Sequence, residues 1–162
     1  MVQVQVEGDT RELVSTMKNL SEVDKKKLNA ILGQDVRNST LDRFKQSKGP
    51  NGRRWRTSIR AGAEGGKTLI QTSQLRNSIQ VKSDASGFAV GTNVVHAATH
   101  QFGDTRTIRA KTNKGLRFKV GGRWVKKTSV TVTIPARPFL GMNDDDMSTL
   151  KNTAEAFIMK ES

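Results

Sequence analysis

The chain has 162 residues, with 28 Lys+Arg against 15 Asp+Glu, a formal charge of +13 and a hydrophobic fraction of 34%. That length suits one compact domain with extensions, while 5% aromatic residues and no Tyr argue against a large monolithic core. The lack of Cys excludes a disulfide framework, a thiolate metal site and a cysteine nucleophile, and no window approaches the roughly 18 apolar residues of a membrane span.

The opening Met-Val-Gln-Val-Gln-Val-Glu lacks the basic flank and apolar block of a signal peptide, so an intracellular product without membrane contact is expected. Val2, Val4 and Val6 share one face of an extended segment and Gln3, Gln5 and Glu7 the other, which predicts a half-buried strand ending at Gly8-Asp9. Leu13, Val14, Met17 and Leu20 then recur at helical spacing, with Asp9 or Thr10 available as N-cap. A longer helix is predicted from Val23 to about Gln46. Leu28, Ile31, Leu32, Val36, Ser39 or Thr40, Arg43 and Phe44 step by three or four along one face, and Glu22 and Asp24 precede the lysines in the order that suits the helix dipole. The Lys25-Lys26-Lys27 run reads as a solvated face, and Gly33 weakens the helix locally without ending it.

From Ser47 to Lys67 turn formers and charge dominate, predicting a long basic loop with one fixed point at Trp55. Counted from Arg37 to Lys67, nine basic residues face two acids, Asp42 and Glu64. Thr72 to Ile79 predicts a short amphipathic helix capped by Thr72. Gln80 to Ser83 and Phe88 to Gly91, around Asp84-Ala85-Ser86-Gly87, predict a hairpin. A short helix is expected over Val94 to Phe102, stopped by Gly103. Asp104 to about Ser129 alternates basic and apolar residues and turns at Gly121-Gly122; it reads as an extended hairpin arm, or as a segment that orders only on a partner. Its stretch from Arg106 to Lys127 holds nine basic residues and no acid.

Val130, Val132 and Ile134 alternate with Thr131 and Thr133 in a strand ended by Pro135, and the two prolines make Pro135 to Gly141 a rigid turn. A terminal helix over 143–161 follows, with Asn143 as cap and an apolar stripe of Met147, Leu150, Ala154, Phe157 and Ile158. Asp144, Asp145 and Asp146 point about 100° apart, so they read as dipole compensation rather than a metal cluster. The expected architecture is therefore one α+β domain over residues 1–162: a small antiparallel sheet packed by the long helix and the C-terminal helix, with two protruding basic arms.

Enzyme signatures fail. His96 and His100 stand at i,i+4, but a zinc protease needs Glu directly after the first His and Ala97 is there. A structural two-His metal site has only Asp104 nearby as a further ligand, and the pair reads as structural or interface histidines. Gly66-Lys67-Thr68 ends like a phosphate-binding loop, yet Ala61 replaces the glycine required five positions earlier. No Gly-x-Ser-x-Gly elbow occurs. No catalytic residue, cofactor or metal is expected. The basic arms suit an acidic protein face, a solvated surface or nucleic acid, in that order, because no finger spacing or RNP-type aromatic run is present. Trp55 and Trp124 either stack on bases or anchor their loops on the domain.

Four blocks, taken together, resemble the phage virion morphogenesis (tail completion) proteins of Mu-like phages, relatives of head-tail joining and minor tail components. They are Phe44-x-x-Ser47-x-Gly49-Pro50-x-Gly52-x-x-Trp55; Leu69-Ile70-x-Thr72-x-x-Leu75-Arg76-x-Ser78-Ile79; Val90-Gly91-Thr92 with Ala97-x-x-His100-Gln101-x-Gly103; and Ile134-Pro135-Ala136-Arg137-Pro138-Phe139-Leu140-Gly141. The chain departs in having Ser73 where the family usually has Gly, His96 where Tyr is common, and a longer, more basic Arg106 to Lys127 arm. The resemblance implies a structural virion protein, made in the host cytoplasm and built into the neck between head and tail, where it completes the tail by ring assembly. Its implied partners are copies of itself and neck, connector, tail terminator or tail tube proteins, with non-specific contact to packaged DNA open. The alternative is a basic nucleic-acid-binding protein acting in phage DNA handling. Contact residues expected on this basis are Arg53, Arg54, Trp55 and Arg56 in the first arm, Arg117, Lys119, Arg123 and Trp124 in the second, and His100. Arg137, pinned between two prolines, either forms an inter-element or inter-subunit salt bridge or belongs to a turn that only docks the last helix.

Overall fold

A computed structural model describes residues 22–161 of the chain. The strand expected at Val2 to Val6 and the helix expected over Leu13 to Leu20 lie outside the described residues. The long helix is present as α1 (Glu22–Gln46). Leu28, Leu32, Val36 and Phe44 are buried along it, and the stripe runs on through the buried polar residues Thr40 and Arg43. The Thr40 hydroxyl donates to the Val36 carbonyl at 2.9 Å, so its burial leaves no orphan group.

Two elements follow that the sequence pattern rendered differently. The expected loop from Ser47 to Lys67 contains a six-residue helix, α2 (Ile59–Glu64), capped by the Ser58 hydroxyl and closed by Gly65 at φ 72°. Its Ala-Gly-Ala core has no apolar periodicity to announce it. The helix expected over Thr72 to Ile79 contracts to α3 (Gln74–Asn77), because Ser73 takes a left-handed φ of 58°. That is a conformation glycine adopts without strain, and the resemblance places glycine at that position.

The hairpin forms as β1 (Gln80–Asp84) and β2 (Gly87–Gly91), each strand one residue longer than expected. Asp84 Oδ1 accepts the amides of Ser86 at 2.7 Å and Gly87 at 3.1 Å and fixes the turn. The hairpin packs on α1 at Gly33, where an added Cβ would overlap a Val81 methyl and sit 3.3 Å from Phe88. Gly33 thus exists for close approach. Asn29 and Arg37 stitch the same contact by donating to the carbonyls of Asp84 at 2.7 Å and Ile79 at 2.8 Å.

Helix α4 (Ala97–Phe102) begins three residues later than predicted, since Val95 and His96 form a turn closed by the Ala97 amide on the Val94 carbonyl at 3.0 Å, and Val95 faces outward. Beyond Gly103, β3 (Asp104–Arg109) pairs antiparallel with β6 (Ser129–Ile134), and β4 (Leu116–Val120) pairs with β5 (Arg123–Lys127). The arm is therefore longer than the predicted Asp104 to Ser129 hairpin: the strand over Val130 to Ile134 is its return limb rather than a separate strand. Among the described residues the sheet is three two-stranded ladders. The chain closes with α5 (Asp144–Glu161), whose Leu150, Ala154 and Phe157 pack into the core against α1.

Candidate functional site

The turn Pro135 to Gly141, from the fourth block, is where residues of the first and third blocks meet. Phe44, Trp55 and Phe139 form an aromatic cluster, with Phe44 5.5 Å from Trp55 in a T-shaped contact and 5.3 Å from Phe139. The Trp55 indole donates to the Pro138 carbonyl at 2.8 Å. From α4, the Gln101 amide nitrogen donates to the Leu140 carbonyl at 2.8 Å, and its oxygen accepts the amides of Phe139 and Leu140. The Arg137 amide donates to the His100 carbonyl at 2.7 Å. Gln101 is a positioning residue that sequence reasoning left without a role; its only signal was a place in one of the blocks.

An ion pair ties this turn to both long helices. Buried Arg43 of α1 donates to the carbonyl of Gly141 at 2.6 Å and to the carboxylate of Asp146 on α5. Asp146 also accepts the Ser39 hydroxyl and the Asn143 amide, while Asn143 Oδ1 accepts the Asp146 amide at 2.8 Å. Asn143 is thus the expected cap. Asp146 does more than offset the dipole, because it neutralises a buried guanidinium. Burial pushes the Arg43 pKa below its ordinary value, and the Asp146 carboxylate opposes that shift.

The predicted contact residues separate into two groups. Trp55 is only 7% exposed, so burial removes it from the surface and makes it the anchor of its loop. Arg53, Arg54 and Arg56 around it are exposed. Arg137 is 5% exposed, and among the described residues no carboxylate pairs with it, so of its two readings the inter-element salt bridge is not formed there. Its Nε donates to the Arg56 carbonyl at 2.8 Å instead. His100 lies beside it with its Nδ1 buried and without a partner among the described residues. Burial first, then His96 and Arg137, lower the His100 pKa. The His96 and His100 rings stand T-shaped at 5.7 Å, and among the described residues no three or more His, Asp or Glu side chains converge on a metal position.

The arm is the other group. Residues directly opposite on paired strands share a face, so Phe118, Val125 and Val120 lie on one side of the tip and Arg117, Lys126, Lys119 and Trp124 on the other. Trp124 is 64% exposed, with the Lys119 ammonium 5.3 Å and the Arg117 guanidinium 5.9 Å from its ring. Arg123, at the Gly121-Gly122 turn, is exposed too. Both turn glycines have positive φ, 57° and 82°, as a tight two-residue hairpin turn requires. At the base, Thr105 and Thr107 meet Thr133 and Thr131 on one face, and Ile108 meets Val130 on the other. No arm residue belongs to the buried core.

The family model of the phage virion morphogenesis family matches residues 5–158, nearly the whole chain. The chain belongs to the phage virion morphogenesis family. No curated protein and no solved structure matches it. Membership gives the chain a structural role in phage virion morphogenesis, and the four blocks quoted above lie inside the matched span. Among the described residues of this family member, no helix is long and apolar enough to cross a membrane.

Proposed function

We propose that this family member is a structural subunit of the head-tail junction of a long-tailed phage, completing the tail through ring assembly, with the β3–β6 and β4–β5 ribbon as its reaching arm. The observation that carries this reading is the ribbon itself. It stands off the core, bears nine basic residues and no acid between Arg106 and Lys127, and presents Phe118 and Val120 on one face and Trp124 on the other. An isolated two-stranded ribbon is marginally stable in water, so a partner surface that covers one face stabilises it. The arm's partners are neighbouring copies of the chain or an acidic face on a neck, terminator or tube protein, with Trp124 as the central contact.

The test is to replace Thr112 to Lys126 by a two-residue turn and complement phage production with the shortened chain. Full heads and separate tails seen by electron microscopy are the expected outcome; infectious particles at normal yield would refute the reading. The nucleic-acid alternative rests on the exposed Trp124 flanked by cations, which suits base stacking. It predicts that neutralising about six phosphates makes affinity for duplex DNA fall on the order of a thousandfold between roughly 50 and 200 mM salt. A nuclease-treated pull-down that still recovers neck or tail proteins favours the structural role.

A further inference from the structure

We propose that the recess between α2, α3 and α4 is a receptor for a carboxylate presented by an acidic side chain of a neighbouring protein subunit. The recess has a volume of about 410 Å³, and its lining includes Arg137, His100, His96, Arg60, Leu69 and Leu75. Two side chains of its lining have nitrogens that lack a protein partner among the described residues. Arg137 spends Nε on the Arg56 carbonyl, and its two terminal nitrogens have no acceptor among the described residues. Those nitrogens are not sealed from water, so they face the recess with their hydrogen-bonding capacity free. His100 lines the recess from a different element; its Nδ1 has no partner among those residues but is closed off from solvent, so the ring can meet a ligand only through Nε2.

The chemistry of the lining selects the ligand. A guanidinium with one edge free offers two parallel N–H groups, the fork that matches the two oxygens of a carboxylate. The Nε2 side of the neighbouring imidazole supplies a third contact, and Leu69 and Leu75 provide an apolar wall for the methylenes of a Glu side chain. Arg60 contributes positive field but is partly committed, donating to the Lys67 carbonyl at 2.9 Å with Glu64 at 3.7 Å. The phosphates of a duplex lie on a broad convex backbone and meet projecting cations, such as those of the arm, more readily than a buried guanidinium in the lining of a recess. The receptor is also preorganised. Pro135 and Pro138 fix φ on either side of Arg137, and the Arg137 amide is held by the His100 carbonyl at 2.7 Å. This proposal goes beyond the head-tail reading and does not depend on it, since the recess is complete wherever in the particle the protein sits.

The test uses the full-length, ¹⁵N-labelled chain titrated with N-acetylglutamate at constant ionic strength, followed by NMR of the arginine Nε–H and imidazole resonances. Inorganic phosphate and a short DNA duplex serve as rival probes. The expected result is saturable shifts at Arg137 and His100 with N-acetylglutamate. His100 should then titrate at higher pH, as a carboxylate offsets the repulsion from His96 and Arg137 that adds to the effect of burial. Arg137→Lys, which keeps the charge and loses the fork, should weaken binding at least about tenfold, whereas Lys82→Ala, at an exposed position of the hairpin, should leave it unchanged. Should Arg137→Lys fail to fold, His100→Phe tests the same site and should weaken binding several-fold. Shifts that do not saturate, equal binding by the variants, or preferential saturation by phosphate or duplex would each overturn the assignment. None of these outcomes bears on whether particles join, which the arm deletion reads separately.

Discussion

Replacing Gly33 by Ala sets two effects of opposite sign against each other. In an exposed helix interior the change gains about 1 kcal/mol, because Ala is the best helix former and Gly nearly the worst. At this position the new Cβ overlaps a Val81 methyl and lies 3.3–3.4 Å from two Phe88 carbons. Carbon atoms rest about 3.5–4.0 Å apart, so Val81 has to withdraw by roughly 1 Å or the hairpin has to lift from α1. Both routes strain a β-branched side chain or the two hydrogen bonds from Asn29 and Arg37. Overpacking of this kind costs about 1–3 kcal/mol, which outweighs the propensity gain. Gly33→Ala should therefore lose about 1 kcal/mol, a fall in Tm of about 2–4 °C for a chain of this size. Urea and thermal unfolding of four proteins close a double-mutant cycle: the parent, Gly33→Ala, Val81→Ala and the pair. In the Val81→Ala background the substitution should turn neutral or stabilising, giving a coupling of about 1 kcal/mol or more. A rise in stability for Gly33→Ala alone would refute the close packing of hairpin on helix.

Two further outcomes follow from the buried polar groups. Asp146→Asn leaves Arg43 buried without a counter-charge and should cost about 3–5 kcal/mol in urea unfolding, while Arg43→Met with Asp146→Leu should recover most of that loss. The His100 pKa is lowered in the folded chain by burial, then His96, then Arg137, so the unfolded chain binds the proton more tightly. Folded stability should then be full above the ordinary imidazole value of about 6.5 and decline as pH falls below it. Urea midpoints measured from pH 7.5 down to 5 should show that decline in the parent and a flatter profile in His100→Gln; identical profiles would contradict it.

What the sequence made legible follows from how local the signals are. Helix α1 was readable because its apolar residues recur over many turns, and the stripe even contained Arg43, whose partner is 103 residues away. Helix α5 carried its own start signal in Asn143 and the aspartates, and the Asp84 to Gly87 turn carried the hairpin. The ribbon was half legible. Its tip was marked by Gly121-Gly122, but the pairing of Asp104–Arg109 with Ser129–Ile134 closes a long loop and leaves no local trace except Thr105 and Thr107 echoing Thr131 and Thr133. Helix α2 was missed because one turn of Ala and Gly has no period to detect. The recess could not be read at all: Arg137 and His100 reach it from segments separated by an arm, and only the folded turn brings them together. Gly33 was read as a weak point because propensity is a property of one residue, whereas its purpose lies in the hairpin opposite.

The root of the arm and the recess adjoin in the chain, at Gly103 beside His100 and at Ala136 beside Arg137, and this decides how the two can be probed. Gly103 opens the ribbon at φ 79°, where a Cβ would stand 3.0 Å from the Ala136 amide nitrogen and 3.1 Å from the Ile134 carbonyl. Pro135 closes it one residue after β6. Between these points the α4 contacts of Arg137 and Gln101 set the direction in which the ribbon leaves the core. A bulky residue at 103 would therefore disturb arm direction and recess together, and its effect on joining would not be interpretable. Trimming at the tip, beyond Lys111, leaves the Asp104–Arg109 and Ser129–Ile134 ladder and the Gly103 to Ala136 contact in place. Loss of joining with an intact N-acetylglutamate response would then assign the defect to the tip surface around Trp124, because the root that both features depend on is unchanged.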